Sequence, residues 1–64
     1  MFTVHVEMPS GALSREHSFP TKDEAQVLFD HMILQMKPWK KFVADVVMLN
    51  DRDKEVKREH ISNE

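Results

Sequence analysis

The chain has 64 residues, of which nine are basic and eleven acidic, so its formal net charge is −2 with the histidines neutral. A domain dedicated to nucleic acid normally carries a clear basic excess, because phosphate neutralisation supplies most of the affinity, and this chain has none. It has no cysteine, which excludes disulfides and cysteine-based zinc sites and fits a reducing compartment. A single domain of this size buries only about 60% of the surface that its unfolded chain exposes, so a partner that covers more surface would stabilise it.

The start of the chain predicts a β-hairpin. Residues 2–8, FTVHVEM, alternate between apolar and polar side chains, which is typical of a half-buried strand. After the turn signal Pro-Ser-Gly-Ala, residues 13–19, LSREHSF, resume as a second strand with apolar ends. We prefer the register that brings the apolar ends together. It pairs Met8 with Leu13 and Phe2 with Phe19.

A helix follows Pro20. Thr21 and Glu24 have the spacing of a capping box, in which the Thr21 side chain accepts a hydrogen bond from the backbone N–H of Glu24. The predicted helix runs to about Met36, because Pro38 disfavours the helical conformation in the residue before it. Its apolar residues recur at the spacing of a stripe that faces a core. They are Ala25, Leu28, Phe29, Met32, Ile33 and Met36.

Two more elements are predicted in the last third of the chain. Residues 42–50, FVADVVMLN, form the most apolar strand. A turn at 50–53 separates it from residues 54–61, KEVKREHI, which predict a fourth strand but also suit a charged helix. We expect one domain over residues 1–61 and a disordered tail at 62–64.

The element order ββαββ predicts an α+β fold with a four-stranded antiparallel sheet in the order 2-1-3-4. This order places the two apolar strands in the centre and the charged strands at the edges, where charge opposes aggregation. The helix makes a right-handed crossover and covers one face of the sheet. Under it we expect Phe2, Val4, Val6, Met8, Phe42, Ala44, Val46 and Met48.

The other face of the sheet has no helix to cover it. Val43, Val47 and Leu49 alternate along the third strand, so we expect them to form a contiguous apolar patch that a protein partner covers. The partner is a second copy, packed sheet on sheet, or another protein. Val27 and Leu34 lie opposite the core stripe of the helix and are a second candidate contact, although single exposed apolar residues are ordinary.

No motif for catalysis or metal binding stands out. The four histidines lack the spacing of metal ligands, and we expect His5 and His17 on opposite faces of the sheet. Asp45 is the one acid whose apolar surroundings are expected to perturb it, and a cross-strand pair with Arg58 or Lys57 is a structural alternative. We therefore predict no enzyme, no cofactor, no metal and no small-molecule substrate.

The KPWKK segment after the helix has two interpretations. In the first, its lysines complement the negative end of the helix dipole, Pro38 ends the helix and Trp39 folds against the end of the core. In the second, Lys37, Trp39, Lys40 and Lys41 contact an anion or a single-stranded nucleic acid. The net charge favours the first.

These features together predict a small non-enzymatic protein-interaction module, either a homodimer or a binder and inhibitor of a larger protein. The alternative is a nucleic-acid-binding accessory protein that uses the Lys/Trp segment 37–41. Without a signal peptide or a long apolar run, we expect a cytoplasmic location and no membrane contact. A hairpin, a helix start of the form T-x-x-E-A (TKDEA, residues 21–25) and a following strand resemble small phage host-takeover proteins, such as phage inhibitors of bacterial RNA polymerase. The resemblance covers the middle of the chain and assigns no residue a role.

Overall fold

The structure, a computed structural model that describes residues 1–63, has the predicted α+β fold. Its sheet has the order β2-β1-β3-β4, every neighbouring pair is antiparallel, and the helix packs on one face. The elements are β1 (Phe2–Glu7), β2 (His17–Phe19), α1 (Lys22–Met36), β3 (Phe42–Leu49) and β4 (Glu55–Asn63).

The helix begins and ends where its sequence signals place it. The Thr21 hydroxyl accepts a hydrogen bond from the backbone N–H of Glu24 at 3.3 Å, and the last helical residue, Met36, precedes Pro38 by two positions. Within residues 1–63, no helix combines the length and apolar character needed to cross a membrane. The predicted stripe supplies the helix side of the core, with Ala25, Phe29 and Met36 buried and Leu28, Met32 and Ile33 packed against them.

The core lies between α1 and the sheet. Phe29 is 1% exposed, and the ammonium group of Lys57 lies 5.1 Å from the centre of its ring, so that a charged strand residue closes the edge of the core. The predicted inward positions are confirmed. Val4, Val6, Ala44, Val46, Met48 and the β4 residue Ile61 are buried, and Phe2, Met8, Phe19 and Phe42 pack against them.

The fourth element is a strand and not a charged helix, and it extends further than expected. Ser62 and Asn63, assigned to a disordered tail from the sequence, pair with Val43 and Phe42 of β3. The side-chain amide of Asn63 also donates a hydrogen bond to the carbonyl of Met36 at 3.1 Å. This contact ties the last residues of β4 to the end of the helix. The final residue of the predicted tail, at position 64, lies outside the described residues.

The first hairpin differs from its prediction close to the turn. Phe2 pairs with Phe19 as predicted, but Leu13 pairs with Glu7 and not with Met8. The second arm therefore contains one extra residue, which is a bulge. As a result, the regular part of β2 keeps only three residues.

Ser14 explains the bulge. Its hydroxyl oxygen accepts the backbone N–H of Val6 at 2.8 Å, while its own N–H donates to the Val6 carbonyl at 2.8 Å. A side chain thus replaces a strand carbonyl in the ladder. Because side chains alternate along a strand, the shift of one residue turns Leu13 from the core face to the open face, where it is 58% exposed beside Glu7.

Candidate functional site

Charged side chains cross the sheet face that α1 does not cover. Arg58 on β4 reaches over β3 to β1, with Nη1 2.5 Å from Asp45 Oδ2 and Nη2 2.7 Å from Glu7 Oε2. Its Nε lies 2.6 Å from Glu55 Oε1. Glu7 and Asp45 are register partners, which brings both carboxylates within reach of one guanidinium. The cross-strand pair of Asp45 with Arg58 that the sequence suggested is confirmed, and Glu7 and Glu55 join it.

The carboxyl group of Asp45 has a perturbed pKa, but the main cause is a hydrogen bond and not the apolar surroundings that the sequence suggested. His60 Nδ1 lies 2.5 Å from Asp45 Oδ1 and donates a hydrogen bond to it when that nitrogen carries the proton. This bond is the main reason that the pKa of Asp45 lies below its usual range. Desolvation opposes the shift, and Arg58 adds to it. The hydrogen bonds to Glu55, Asp45 and Glu7 raise the pKa of Arg58 in turn, so the cluster holds its charges at neutral pH.

This cluster carries an excess of negative charge. Three carboxylates surround one guanidinium, which leaves two negative charges uncompensated while the histidines are neutral. The formal net charge of the whole chain is also −2, so the remaining acidic and basic residues balance. The cluster is therefore an acidic site on the open face of the sheet.

The expected apolar patch on β3 is interrupted at its centre. Val47 is 1% exposed, because it lies between its register partners His5 on β1 and Arg58 on β4, both of which have large side chains. Val43 is 39% exposed, and Leu49 is partly buried. The expectation that Val47 is exposed is wrong. Contact of this face with a partner stays a prediction, and Val43 is the most exposed of the three β3 residues.

His5 differs most from its expected environment. The alternation of the first strand placed it in water, yet it is 5% exposed. Within the described residues, neither of its ring nitrogens has a hydrogen-bond partner, and Nε2 lies 3.7 Å from Glu7 Oε1. Its register partner on β3 is Val47, which is buried as well. The alternation of the strand gives no signal for this burial.

A cleft of about 320 Å³ opens at the turn end of the first hairpin, beside the charged cluster. We call it the hairpin cleft. Glu7, Asp45 and His60 form its polar wall. The apolar part of its lining includes Met8, Pro9, Leu13 and Val43. The bulge at Ser14 creates this cleft in part, because it brings Leu13 to the open face.

The helix ends before Pro38 and Trp39 packs at the end of the core, as the first interpretation predicted, while the interaction of the lysines with the helix dipole stays a prediction. The Lys37 N–H donates to a helix carbonyl, and the Trp39 ring meets Phe42 edge to face with centroids 5.0 Å apart. Trp39 nevertheless stays 47% exposed, and Lys37, Lys40 and Lys41 are all exposed. Their contact with an anion or a nucleic acid stays a prediction.

The outer side of the helix is open as expected, with Val27 71% and Leu34 68% exposed. Within residues 1–63, no three histidine or acidic side chains come together in a group that could hold a metal ion. The chain matches no protein-family model, and comparisons with curated proteins and with solved structures find no match either. Its function is therefore inferred from its own surfaces.

Proposed function

We propose that this chain is a small non-enzymatic protein-interaction module that binds a basic segment of a protein partner in the hairpin cleft. One observation carries the proposal. Two exposed apolar side chains, Leu13 and Val43, stand beside two acidic groups, Glu7 and Asp45, that belong to a cluster with uncompensated negative charge.

The charge of the cluster selects the partner's chemistry. A partner that covers Glu7 and Asp45 with apolar groups would strip water from carboxylates that a single Arg58 does not neutralise, which is costly. A lysine or arginine from the partner instead supplies the missing positive charge. Next to it, an apolar side chain of the partner removes Leu13 and Val43 from water.

The exposure of the cleft favours a protein over a small molecule. Small-molecule sites enclose most of their ligand. Here Leu13 is 58% and Val43 39% exposed, so they stand at an open rim where a side chain of a larger surface is inserted. The module acts by occupying a surface of its partner, as an inhibitor or an adaptor. We place this activity in the cytoplasm, because the chain contains no cysteine. A role as a phage host-takeover protein, which the resemblance suggested, stays a prediction.

A peptide titration tests the proposal. The probe is acetyl-Lys-Arg-Leu-Lys-Arg-amide, and its control has glutamate in place of every basic residue. We expect the basic peptide to shift the backbone amide signals of Leu13, Val43 and Asp45 in nitrogen-15 correlation spectra, and the acidic peptide to leave them in place. Equal shifts with both peptides, or none with either, would contradict the proposal.

Two leucines provide matched variants for the same titration. Leu13 lines the hairpin cleft, and Leu34 on the outer side of α1 is similarly exposed, at 58% and 68%. Leu13→Ser removes an apolar contact of about 1.5–3 kcal/mol, which corresponds to roughly tenfold weaker binding or more. Leu34→Ser should leave the affinity unchanged.

A second candidate function is contact with single-stranded nucleic acid through segment 37–41. The observation that favours it is the exposure of Trp39, at 47%, together with three exposed lysines and no acid in the segment. Titration of the tryptophan fluorescence with oligo-thymidylate at low salt tests this function. Quenching that salt reverses would support it, and unchanged fluorescence would exclude it.

A further inference from the structure

The hairpin cleft and the KPWKK segment lie at the same end of the sheet but on opposite faces. Glu7, near the end of β1, pairs with Asp45, near the start of β3, so the cleft is at the end where β3 begins. The segment leads directly into β3. Its Trp39 ring packs on Phe42, which faces the core, whereas the next residue, Val43, lines the cleft on the open face.

The segment cannot fill the cleft of its own chain. Its backbone is held by hydrogen bonds from the Lys37 N–H to the Ile33 carbonyl at 2.9 Å and from the Trp39 N–H to the Met36 carbonyl at 3.0 Å. Since consecutive strand residues point to opposite faces, the Trp39 ring would have to leave the helix side of the sheet to reach the cleft. These contacts leave the segment available only to another molecule.

The segment nevertheless has the chemistry that the cleft requires. It carries three lysines and no acid, and its tryptophan is half exposed. The cleft offers the opposite set, with Glu7 and Asp45 on one wall and the apolar side chains of Leu13 and Val43 beside them. Lysine ammonium groups match the carboxylates, and the exposed part of the indole matches the apolar lining.

We propose that the occupant of the hairpin cleft is a second copy of this chain, in a two-fold dimer in which each copy inserts its segment 37–41 into the other's cleft. This inference rests on the proposed function and names its partner. A two-fold axis at this end of the molecule, in the plane of the sheet and across its strands, exchanges the two faces. It therefore brings the segment of one copy to the cleft of the other, and the reciprocal contact closes the assembly at two chains.

The arrangement differs in two ways from a dimer that packs sheet on sheet through Val43, Val47 and Leu49. It leaves the buried Val47 undisturbed beneath its own chain. It also depends on charge, because lysines meet carboxylates at the rim of the cleft. Raising the salt concentration from about 0.1 M to about 1 M shortens the Debye length from about 10 Å to about 3 Å, so it should weaken this dimer. An apolar sheet-on-sheet contact would persist or strengthen in a salting-out salt such as sulfate.

A charge exchange between the two surfaces tests the dimer. The first variant, Lys40→Glu with Lys41→Glu, reverses the charge of the segment. The second variant, Leu13→Lys, puts a positive charge in the cleft. All three side chains are exposed, so thermal unfolding by circular dichroism should show folded variants. The control, Leu34→Lys, adds the same charge at an equally exposed leucine on the outer side of α1.

Sedimentation equilibrium and light scattering provide the measurement. We expect the wild-type chain and the Leu34→Lys variant to dimerise. Each of the two test variants alone should self-associate at least roughly tenfold more weakly than the wild type, because like charges meet. An equimolar mixture of the test variants should associate more strongly than either variant alone, since one of the two sites in the mixed dimer is then native.

The possible outcomes separate this inference from the proposed function. A wild-type chain that stays monomeric overturns the dimer. If the basic peptide still shifts the cleft signals of that monomer, the proposed function stands, and if it does not, both fail. A dimer that survives in both test variants also overturns the inference, as does a mixture that associates no more strongly than either variant alone, because the contact then lies elsewhere.

Discussion

The two faces of the sheet are closed by different means. Under the helix, Ala44, Val46 and Met48 are at most 2% exposed because α1 packs on them. On the opposite face Val47 is buried to the same degree, at 1%, without a helix. There the side chain of Arg58 extends across the neighbouring strands and ends among carboxylates. A two-layer domain can thus bury residues on its uncovered face when one long side chain spans the sheet.

This difference separates the forces on the two faces. The stability of the covered face depends on close apolar packing, so it changes when the volume of a side chain changes. The open face combines the buried residues His5 and Val47 with a charged cluster, so its stability depends on side-chain volume at some positions and on pH at others. Variants on the two faces should therefore differ both in size of effect and in pH dependence.

The largest loss is expected on the covered face, at Phe29. Phe29→Ala removes the largest fully buried side chain and leaves a cavity, which should cost about 3–5 kcal/mol of the free energy of unfolding. At roughly 0.05–0.15 kcal/mol per residue, a chain of 64 residues has only about 3–10 kcal/mol in total, so the variant should lose a large part of its stability. Urea denaturation followed by circular dichroism measures the change. A loss below about 1 kcal/mol would mean that α1 does not stabilise the sheet as described.

On the open face, two valines of the same strand give the next test. Val47→Ala should destabilise the protein by about 2 kcal/mol, because two buried methyl groups and their contacts are lost. Val43→Ala, at a position that is 39% exposed, should cost less than about 0.5 kcal/mol. The same denaturation experiment compares them. Equal losses would show that Arg58 and His5 do not cover Val47.

The charged cluster should make a smaller contribution that depends on pH. Because the folded pKa of Asp45 lies below its ordinary value, the native state favours the carboxylate. The resulting stabilisation is complete above the unfolded pKa of about 3.9 and is lost as the pH falls through the lower folded pKa. His60→Ala removes its main cause, while Arg58 on the same strand and Glu7 on β1 still face Asp45.

Carbon-13 spectra of the carboxyl groups measure this effect. In His60→Ala the pKa of Asp45 should rise toward 3.8, and the free energy of unfolding should change less with pH below about 4. Leu34→Ala, far from the cluster, should keep the pH dependence of the wild type. An Asp45 that titrates at its ordinary value in the wild-type chain would contradict the described contacts.

The smallest effects are expected on the outer side of α1. Val27→Ala and Leu34→Ala should each change the free energy of unfolding by no more than about 0.5 kcal/mol, since these side chains are 71% and 68% exposed. A larger change, seen only at high protein concentration, would indicate a contact between copies on this side. Denaturation at two concentrations distinguishes the cases.

Local chemistry made most of the fold predictable. The Thr21 cap and Pro38 bound the helix, and the alternation of the first strand identifies its inward residues. The register of the first hairpin near its turn could not be predicted in this way, because the Ser14 hydroxyl takes the Val6 N–H that a backbone carbonyl of the neighbouring strand would otherwise accept. A serine in the arm of a hairpin is the only signal for it, and serines there are usually without such an effect.

The candidate site was less predictable because it depends on residues that are distant in the sequence. The pair of Asp45 with Arg58 could be predicted, because the two residues lie on neighbouring strands. Glu7, by contrast, comes from the opposite end of the chain, and its contact with Arg58 requires both the strand order and the direction of a long side chain. The alternation of strands alone placed Val47 in an apolar patch for a partner and His5 in water, whereas both are buried within the chain itself.

The central seam of the sheet has a consequence for how the chain folds. β1 and β3 are neighbours in space but have β2 and α1 between them in the sequence, so that Val4 pairs with Met48. Each outer pair, by contrast, is a local hairpin with a short connection. Closing the long loop costs entropy before the central contacts form. We expect the closing of this loop to set the folding rate and the contacts of the seam to form after it, so that substitutions at Val4 and Met48 act more on unfolding than on folding.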